Sequence, residues 1–188
     1  MRDDVGMTRI VAGTAGGRQL AVPRRGTRPT SDRVREALFS AVEAVMDLPG
    51  ARVLDLYAGT GALGLEALSR GAGHALLVES DAGAVAVLRR NVAALGLTGA
   101  QVRQGKVATV LATPPPEPFD LVLSDPPYSL TDTALAADLA ALAAWTRPGS
   151  LVVVERARRS GTPAWPQPLV ADRMRHYGDT TLHWGRVG

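Results

Sequence analysis

The stretch Val53-Leu54-Asp55-Leu56-Tyr57-Ala58-Gly59-Thr60-Gly61-Ala62-Leu63-Gly64 decides how this chain folds. Residues 53–57 form a short apolar run suited to a buried strand, and helical spacing follows over residues 62–70 until Gly71 stops it. A strand that passes through a glycine turn into a helix is the opening unit of a doubly wound α/β fold. The same alternation continues downstream, with strands at residues 75–79, 100–104, 119–124 and 151–155 and helices at 82–95, 106–111 and 131–144. Continuous Val/Leu strands separated by helices imply a parallel sheet covered on both faces. Residues 169–177 and 180–187, flanking Gly178-Asp179, read as a closing antiparallel hairpin. The fold expected is therefore a Rossmann-like α/β domain with a seven-stranded, mostly parallel sheet.

Upstream, residues 8–23 alternate in two short runs around Gly13, Gly16 and Gly17 and read as a β-hairpin with too little apolar surface to fold alone. It is expected to be a mobile or a docked extension. Residues 24–29 form a basic linker, and Thr30 or Ser31 caps a helix carrying Val34, Leu38, Val42 and Val45, stopped by Pro49-Gly50. This divides the chain into a basic extension, residues 1–29, and a main domain, residues 30–188.

At 188 residues, 46% hydrophobic and 21% charged, the chain suits one well-packed core. No apolar run has membrane-spanning length, and Met1-Arg2-Asp3-Asp4 lacks the basic-then-apolar order of a signal peptide, so a cytoplasmic protein is expected. Cysteine is absent, and His74, His176 and His183 show no ligand spacing, so no metal is expected. The net charge is +3, and every basic residue except Lys106 is arginine. Residues 1–36 hold eight arginines against four acids. Guanidinium forks suit phosphate contacts that give affinity without reading sequence; a solvated basic surface is the plainer alternative.

Gly59, Gly61 and Gly64 satisfy the G-x-G-x-x-G pattern of dinucleotide-binding loops. Asp55, four residues before the first glycine, argues for a different ligand: its carboxylate repels a pyrophosphate and attracts a ligand carrying an ammonium and a sulfonium, as S-adenosylmethionine does. Glu79, ending the second strand, suits ribose hydroxyls on either ligand. Gln104-Gly105-Lys106-Val107 can line an adenine pocket.

Asp125-Pro126-Pro127-Tyr128 directly follows a strand and supplies a carboxylate, a stiff turn with outward carbonyls, and an aromatic face. Such acceptors suit an exocyclic amino group on a flat base. Asp125 and the Pro126 carbonyl can hold the amino hydrogens and turn the nitrogen lone pair toward an electrophile, while Tyr128 stacks on the extracted base.

With both motifs in view, residues 30–156 resemble class I S-adenosylmethionine-dependent methyltransferases that modify amino nitrogens. Arg9-Ile10-Val11-Ala12-Gly13, Gly17-Arg18-Gln19-Leu20 and the run from Thr27 to Phe39 look like the bacterial 16S rRNA (guanine(966)-N(2))-methyltransferase family in particular. Small departures are Tyr57 where Phe is commoner, Thr60 where Ser is, and Ser124 where a bulkier residue is usual. The resemblance implies transfer of a methyl group from S-adenosyl-L-methionine to a guanine N2 in 16S ribosomal RNA or a small-subunit ribonucleoprotein; a monomer is the default expectation. It implies Asp125, Pro126 and Tyr128 as catalytic residues. Asp55, Tyr57, Gly59, Thr60, Gly61, Glu79, Ser80, Gly105, Lys106 and Asp125 are the implied cofactor contacts, and Arg9, Arg18, Arg24, Arg25, Arg28 and Arg33 the expected RNA contacts. The segment Thr30 to Arg33 reads either as a helix cap with an ion pair or as polar groups that guide RNA over the site. Rival readings are an adenine-N6 methyltransferase on DNA or RNA, a NAD-dependent oxidoreductase and a non-catalytic RNA-binding protein. A separate target-recognition domain, a catalytic His or Tyr-Lys arrangement, and loss of Asp125 or Tyr128 are the respective features that the sequence lacks.

Overall fold

A computed structural model of the protein describes residues 8–22 and 31–188. A two-stranded hairpin, β1 (Thr8–Arg9) and β2 (Gln19–Leu20), precedes α1 (Asp32–Glu43). The main domain then runs β3 (Arg52–Leu56), α2 (Ala62–Ser69), β4 (His74–Glu79), α3 (Ala82–Leu95), β5 (Ala100–Gln104), α4 (Val107–Leu111) and β6 (Phe119–Ser124). It finishes with α5 (Asp132–Ala141), β7 (Thr146–Ala157), β8 (Leu169–Tyr177) and β9 (Thr180–Val187). Seven strands form one sheet in the order β5-β4-β3-β6-β7-β9-β8, with β9 alone antiparallel to its neighbours. The expected α/β architecture with its C-terminal hairpin is present.

Successive residues of each central strand point to opposite faces. Val53, Leu77, Leu121 and Val153 join α1, α2, α3 and the N-terminal hairpin in one buried cluster, whereas Leu54, Val78, Val122 and Val152 pack with α4 and α5 in the other. Ser31 caps α1 by accepting from the Val34 N–H at 3.3 Å, and Asp32 in the first turn faces the positive end of the helix dipole. Arg24, Arg25, Arg28 and Thr30 lie outside the described residues.

Two elements differ from their sequence reading. The strand expected at residues 151–155 begins at Thr146 because the Arg147 to Ser150 segment is a bulge inside it. Its partner register jumps between Phe119 and Leu121, and the Ser150 hydroxyl donates to the Phe119 carbonyl at 2.8 Å. The fifth helix ends at Ala141, and a single 3-10 turn carries the chain to Trp145, whose indole stacks on Phe119 and donates to the Leu111 carbonyl.

The N-terminal hairpin is docked. Ile10, Ala15 and Leu20 are buried in the same cluster as α1 to α3, and the polar contacts under them are as specific as the apolar ones. The fully buried Glu66 carboxylate of α2 accepts from the N–H groups of Val11 at 2.7 Å and Ala12 at 2.9 Å, and from Arg70 at 2.8 Å. Arg18 donates to the carbonyls of Ala94 and Leu95, the last of α3, where carbonyls otherwise lack partners. Asn91 of α3 accepts from the Ala21 N–H and donates to the carbonyls of Ala21 and Thr60, joining the hairpin to the glycine turn. Removing one partner of such a buried network strands the others, at about 3 kcal/mol. Glu66→Ala is therefore expected to lower stability by about that amount in urea unfolding and to open residues 8–22 to proteolysis. An unchanged midpoint with a protected N-terminal segment would refute this account of the docking.

Candidate active site

β3 and β6 are adjacent parallel strands, with Leu56 opposite Ser124. From β3 the chain moves outward through β4 to β5, and it then returns to build β6 and β7 on the other side. The crevice between β3 and β6 is thus the topological switch point, where ligands dock in doubly wound sheets. The glycine turn after β3 and the Asp-Pro-Pro-Tyr turn after β6 are neighbours across it, and the Asp125 N–H approaches the Leu56 carbonyl at 3.4 Å.

The glycine turn is shaped from below. A Cβ on Gly61 would lie 2.3 Å from Leu88 Cδ1, and one on Gly64 would lie 2.8 Å from Leu77 Cδ2, so these two glycines let the turn sink onto α3 and β4. Gly59, with φ +54°, has nothing among the described residues within 4 Å of its missing side chain. The Gly59 N–H donates to Glu79 at 2.9 Å, and the other Glu79 oxygen accepts from the Ser80 and Asp81 N–H groups. Glu79 therefore holds the turn as well as facing the crevice.

Asp55 is fully buried. Its Oδ2 accepts from the Gly64 N–H at 2.8 Å, whereas Oδ1 has no partner among the described residues. Burial pushes its carboxyl up to about 7, the Gly64 N–H opposes that rise, and the negative Glu79 adds to it.

Beside Glu79 opens a cavity of about 360 Å³. Tyr57, Ser80 and Lys106, three of the expected cofactor contacts, line it, and Gly105 adjoins it through its N–H bond to the Glu79 carbonyl. Val107, expected from the sequence as part of an adenine pocket, also lines the cavity, whereas the far wall was not foreseen: Leu130, Ala134, Ala137 and Asp138 come from α5 and the turn before it. Asp138 is buried and accepts from the Tyr57 hydroxyl, so α5 is tied to the glycine turn. Burial raises both groups above their ordinary values, and each modifies the other through the shared proton. Tyr57 also has φ 62°, a strained conformation for a side chain of its size. The one sequence signal for this contact was an acid, Asp138, set among the apolar residues in the middle of α5.

Pro126 is half-buried, and Tyr128 is 73% exposed. A small cleft separates them from Glu155, Arg156, Ala157 and Ser160 at the end of β7. Among the expected RNA contacts, Arg33 is exposed, Arg9 pairs with Asp32 at 2.8 Å, and Arg18 caps α3. Thr60 is buried and uses its carbonyl on Asn91. No group of three or more metal-ligating side chains occurs among the described residues, and none of their helices is long and apolar enough to cross a membrane.

A doubly wound sheet closed by an antiparallel pair, with a carboxylate-headed glycine turn beside an Asp-Pro-Pro-Tyr turn, defines a class I methyltransferase. Comparison with known proteins narrows the class. Residues 8–186 match the family model described as Conserved hypothetical protein 95. Ribosomal RNA small subunit methyltransferase D of Escherichia coli (strain K12) is 38% identical over 162 residues, 86% of this chain and 80% of that protein. The putative rRNA methyltransferase YlbH of Bacillus subtilis (strain 168) is 35% identical over 92% of this chain and 95% of its own length. The solved structure of the putative methyltransferase yhhF from Escherichia coli superposes with a TM-score of 0.85 at 33% identity, covering 97% of this chain and 98% of that one. The chain belongs to this family, that of Ribosomal RNA small subunit methyltransferase D.

The state of Asp55 sets a pH dependence that needs no ligand. Because the folded carboxyl titrates near 7 and the unfolded one near its ordinary 3.8, the native state keeps a proton that the unfolded state releases between these values. The resulting stabilisation is complete below about pH 4 and disappears as pH rises through about 7. Unfolding free energy should fall by about 2–3 kcal/mol more between pH 5 and pH 8 in the wild type than in Asp55→Asn. Parallel pH profiles for the two proteins would contradict the buried-acid assignment.

Proposed function

We propose that the protein transfers a methyl group from S-adenosyl-L-methionine to the exocyclic N2 of a guanine in 16S ribosomal RNA, guanine 966 by family. The observation that carries this is the pairing, across one switch point, of a buried acid with an unsatisfied oxygen and an exposed amino-group clamp. Asp55 Oδ1 is a buried acceptor fit for an ammonium. Gly59 gives close approach to backbone, and Glu79 and the 360 Å³ cavity fit a nucleoside. The cofactor, when bound, supplies an electrophilic methyl on a sulfonium.

The chain's own residues do the rest. A guanine N2 lone pair is delocalised into the ring and is a poor nucleophile. Asp125 and the Pro126 carbonyl accept its hydrogens and turn the lone pair toward the methyl, and the proton leaves late, so Asp125 acts without being a strong base. Tyr128, held outward by a turn in which the Pro127 carbonyl accepts from the Leu130 N–H at 2.9 Å, offers its face to the extracted base. The RNA substrate supports a cytoplasmic site of action.

Asp125→Ala should retain cofactor binding and lose methyl transfer by at least about two orders of magnitude, the usual effect of deleting a transition-state polar contact. Near-normal turnover would reject the assignment. Tyr128→Ala should reduce turnover more than cofactor affinity; equal losses would put the ring on the cofactor instead.

Asp55 separates the methyl donor from a dinucleotide. An ammonium ligand favours the ionised acid, so S-adenosylmethionine affinity, read by calorimetry, should rise from pH 6 to pH 8 and lose that slope in Asp55→Asn. A nicotinamide dinucleotide, with its pyrophosphate, would bind better at the lower pH. Measurable dinucleotide affinity with that opposite slope would favour the oxidoreductase.

A further inference from the structure

The arginines of this chain fall into two groups once their partners are known. Arg9, Arg35, Arg52, Arg70, Arg147, Arg156 and Arg186 form ion pairs, Arg18 caps α3, and Arg173 lies over the Trp184 ring at 4.5 Å. Arg33, Arg89, Arg90, Arg103, Arg158, Arg159 and Arg175 are exposed and form no ion pair among the described residues, and three of them, Arg158, Arg159 and Arg175, lie directly after β7 or on β8. None of these three lies in the arginine-rich N-terminal segment.

Strand register locates them relative to the catalytic turn. Ser124 of β6 pairs with Val154 of β7, so Asp125 is level with Glu155. Glu155 pairs with Leu182 of β9, and Leu182 pairs with Arg175 of β8. Asp125, Glu155, Leu182 and Arg175 therefore form one row across four strands, and at about 4.8 Å per strand the row spans about 14 Å of backbone. Arg158 and Arg159 follow directly where β7 ends, in a 3-10 turn of residues Arg158–Ser160. That turn is anchored twice. The Arg158 N–H donates to the Asp179 carbonyl in the β8–β9 turn at 2.7 Å, and Arg156, two residues earlier, pairs with Asp132 of α5 at 2.7 Å. Ala157 and Ser160 line the cleft whose other wall is Pro126, Pro127 and Tyr128. The turn thus forms the far bank of the cleft beside the exposed tyrosine, with two guanidiniums beyond it.

We propose that Arg158, Arg159 and Arg175 form a phosphate-binding flank that grips the RNA strand on the β7–β8 side of the target base. The reading rests on the RNA substrate proposed above. A base held between Asp125 and Tyr128 has backbone on both sides, and a strand drawn out of its stack needs cations on each side to stay there. Guanidiniums that form no ion pair among the described residues, two carried on an anchored turn and one on β8, meet that need at little cost in ordering. These contacts position the backbone and do not read bases.

The test uses the full chain with 16S rRNA and small-subunit particles from cells lacking the corresponding activity. Wild type is compared with the Arg158→Glu/Arg159→Glu pair, with Arg175→Glu and with a charge-matched control, Arg89→Glu/Arg90→Glu, on α3 near the opposite edge of the sheet. The paired variant is expected to raise KM for RNA by about tenfold or more and to reduce the slope of log affinity against log salt by about 2, with Arg175→Glu reducing it by about 1. Cofactor affinity and the melting temperature should stay at the wild-type value. A wild-type KM and salt slope in the variants, or an equal loss in the control, would overturn the flank. If the wild-type chain places no methyl on RNA, the functional reading fails and the flank fails with it; a methylating wild type with unaffected variants removes the flank alone.

Discussion

The site depends on β3 and β6 lying side by side while the connections that follow them leave in opposite directions. Because Leu56 and Ser124 are paired, the residues just beyond them, Tyr57 with its glycine turn and Asp125 with its proline turn, must share one crevice. Each strand could form the same apolar core in another order, but only this adjacency unites a ligand-binding turn with an amino-group clamp. The two acids it brings near each other have different environments. Asp55 is sealed under the turn with one oxygen unsatisfied, whereas Asp125 is half-buried at the edge beside an exposed tyrosine. Burial makes the first responsive to a cation, and partial exposure lets the second meet a large substrate.

Buried polar side chains join the rest of the chain to that crevice. Glu66 and Ser69 hold the N-terminal hairpin through its backbone N–H groups, and Asn91 links the same hairpin to the Thr60 carbonyl of the glycine turn. On the other face, the Tyr57–Asp138 bond ties α5 to the turn from above. The glycine turn is therefore restrained from both faces of the sheet, and the hairpin shares the main domain's core while carrying part of its basic surface.

Much of this was legible in the sequence, for local reasons. The central strands are uninterrupted Val/Leu runs bounded by Gly, Pro or acids, and both functional turns are contiguous, so Asp55, Gly59, Glu79, Asp125 and Tyr128 could be named without coordinates. The remainder depends on long-range proximity. Pro148-Gly149 looks like a turn, and only pairing with β6 makes it a bulge within β7. Arg18 reads as a free cation until α3 supplies the carbonyls it caps. Asp138 is an acid in the middle of an alanine-rich helix, and nothing local reveals that α5 lies over Tyr57. The basic character of residues 1–36 was equally plain, but charge counting could not separate the paired arginines from the exposed ones on the far side of the site.

The central claim is the chemical identity of the methylated product. Small-subunit RNA from cells lacking this activity, incubated with the purified chain and isotopically labelled S-adenosylmethionine, then digested to nucleosides and analysed by mass spectrometry, tests it most directly. The account predicts label in N2-methylguanosine at a single guanine and none when Asp125 is replaced by alanine. Label in N6-methyladenosine, or RNA that stays unlabelled, would contradict it.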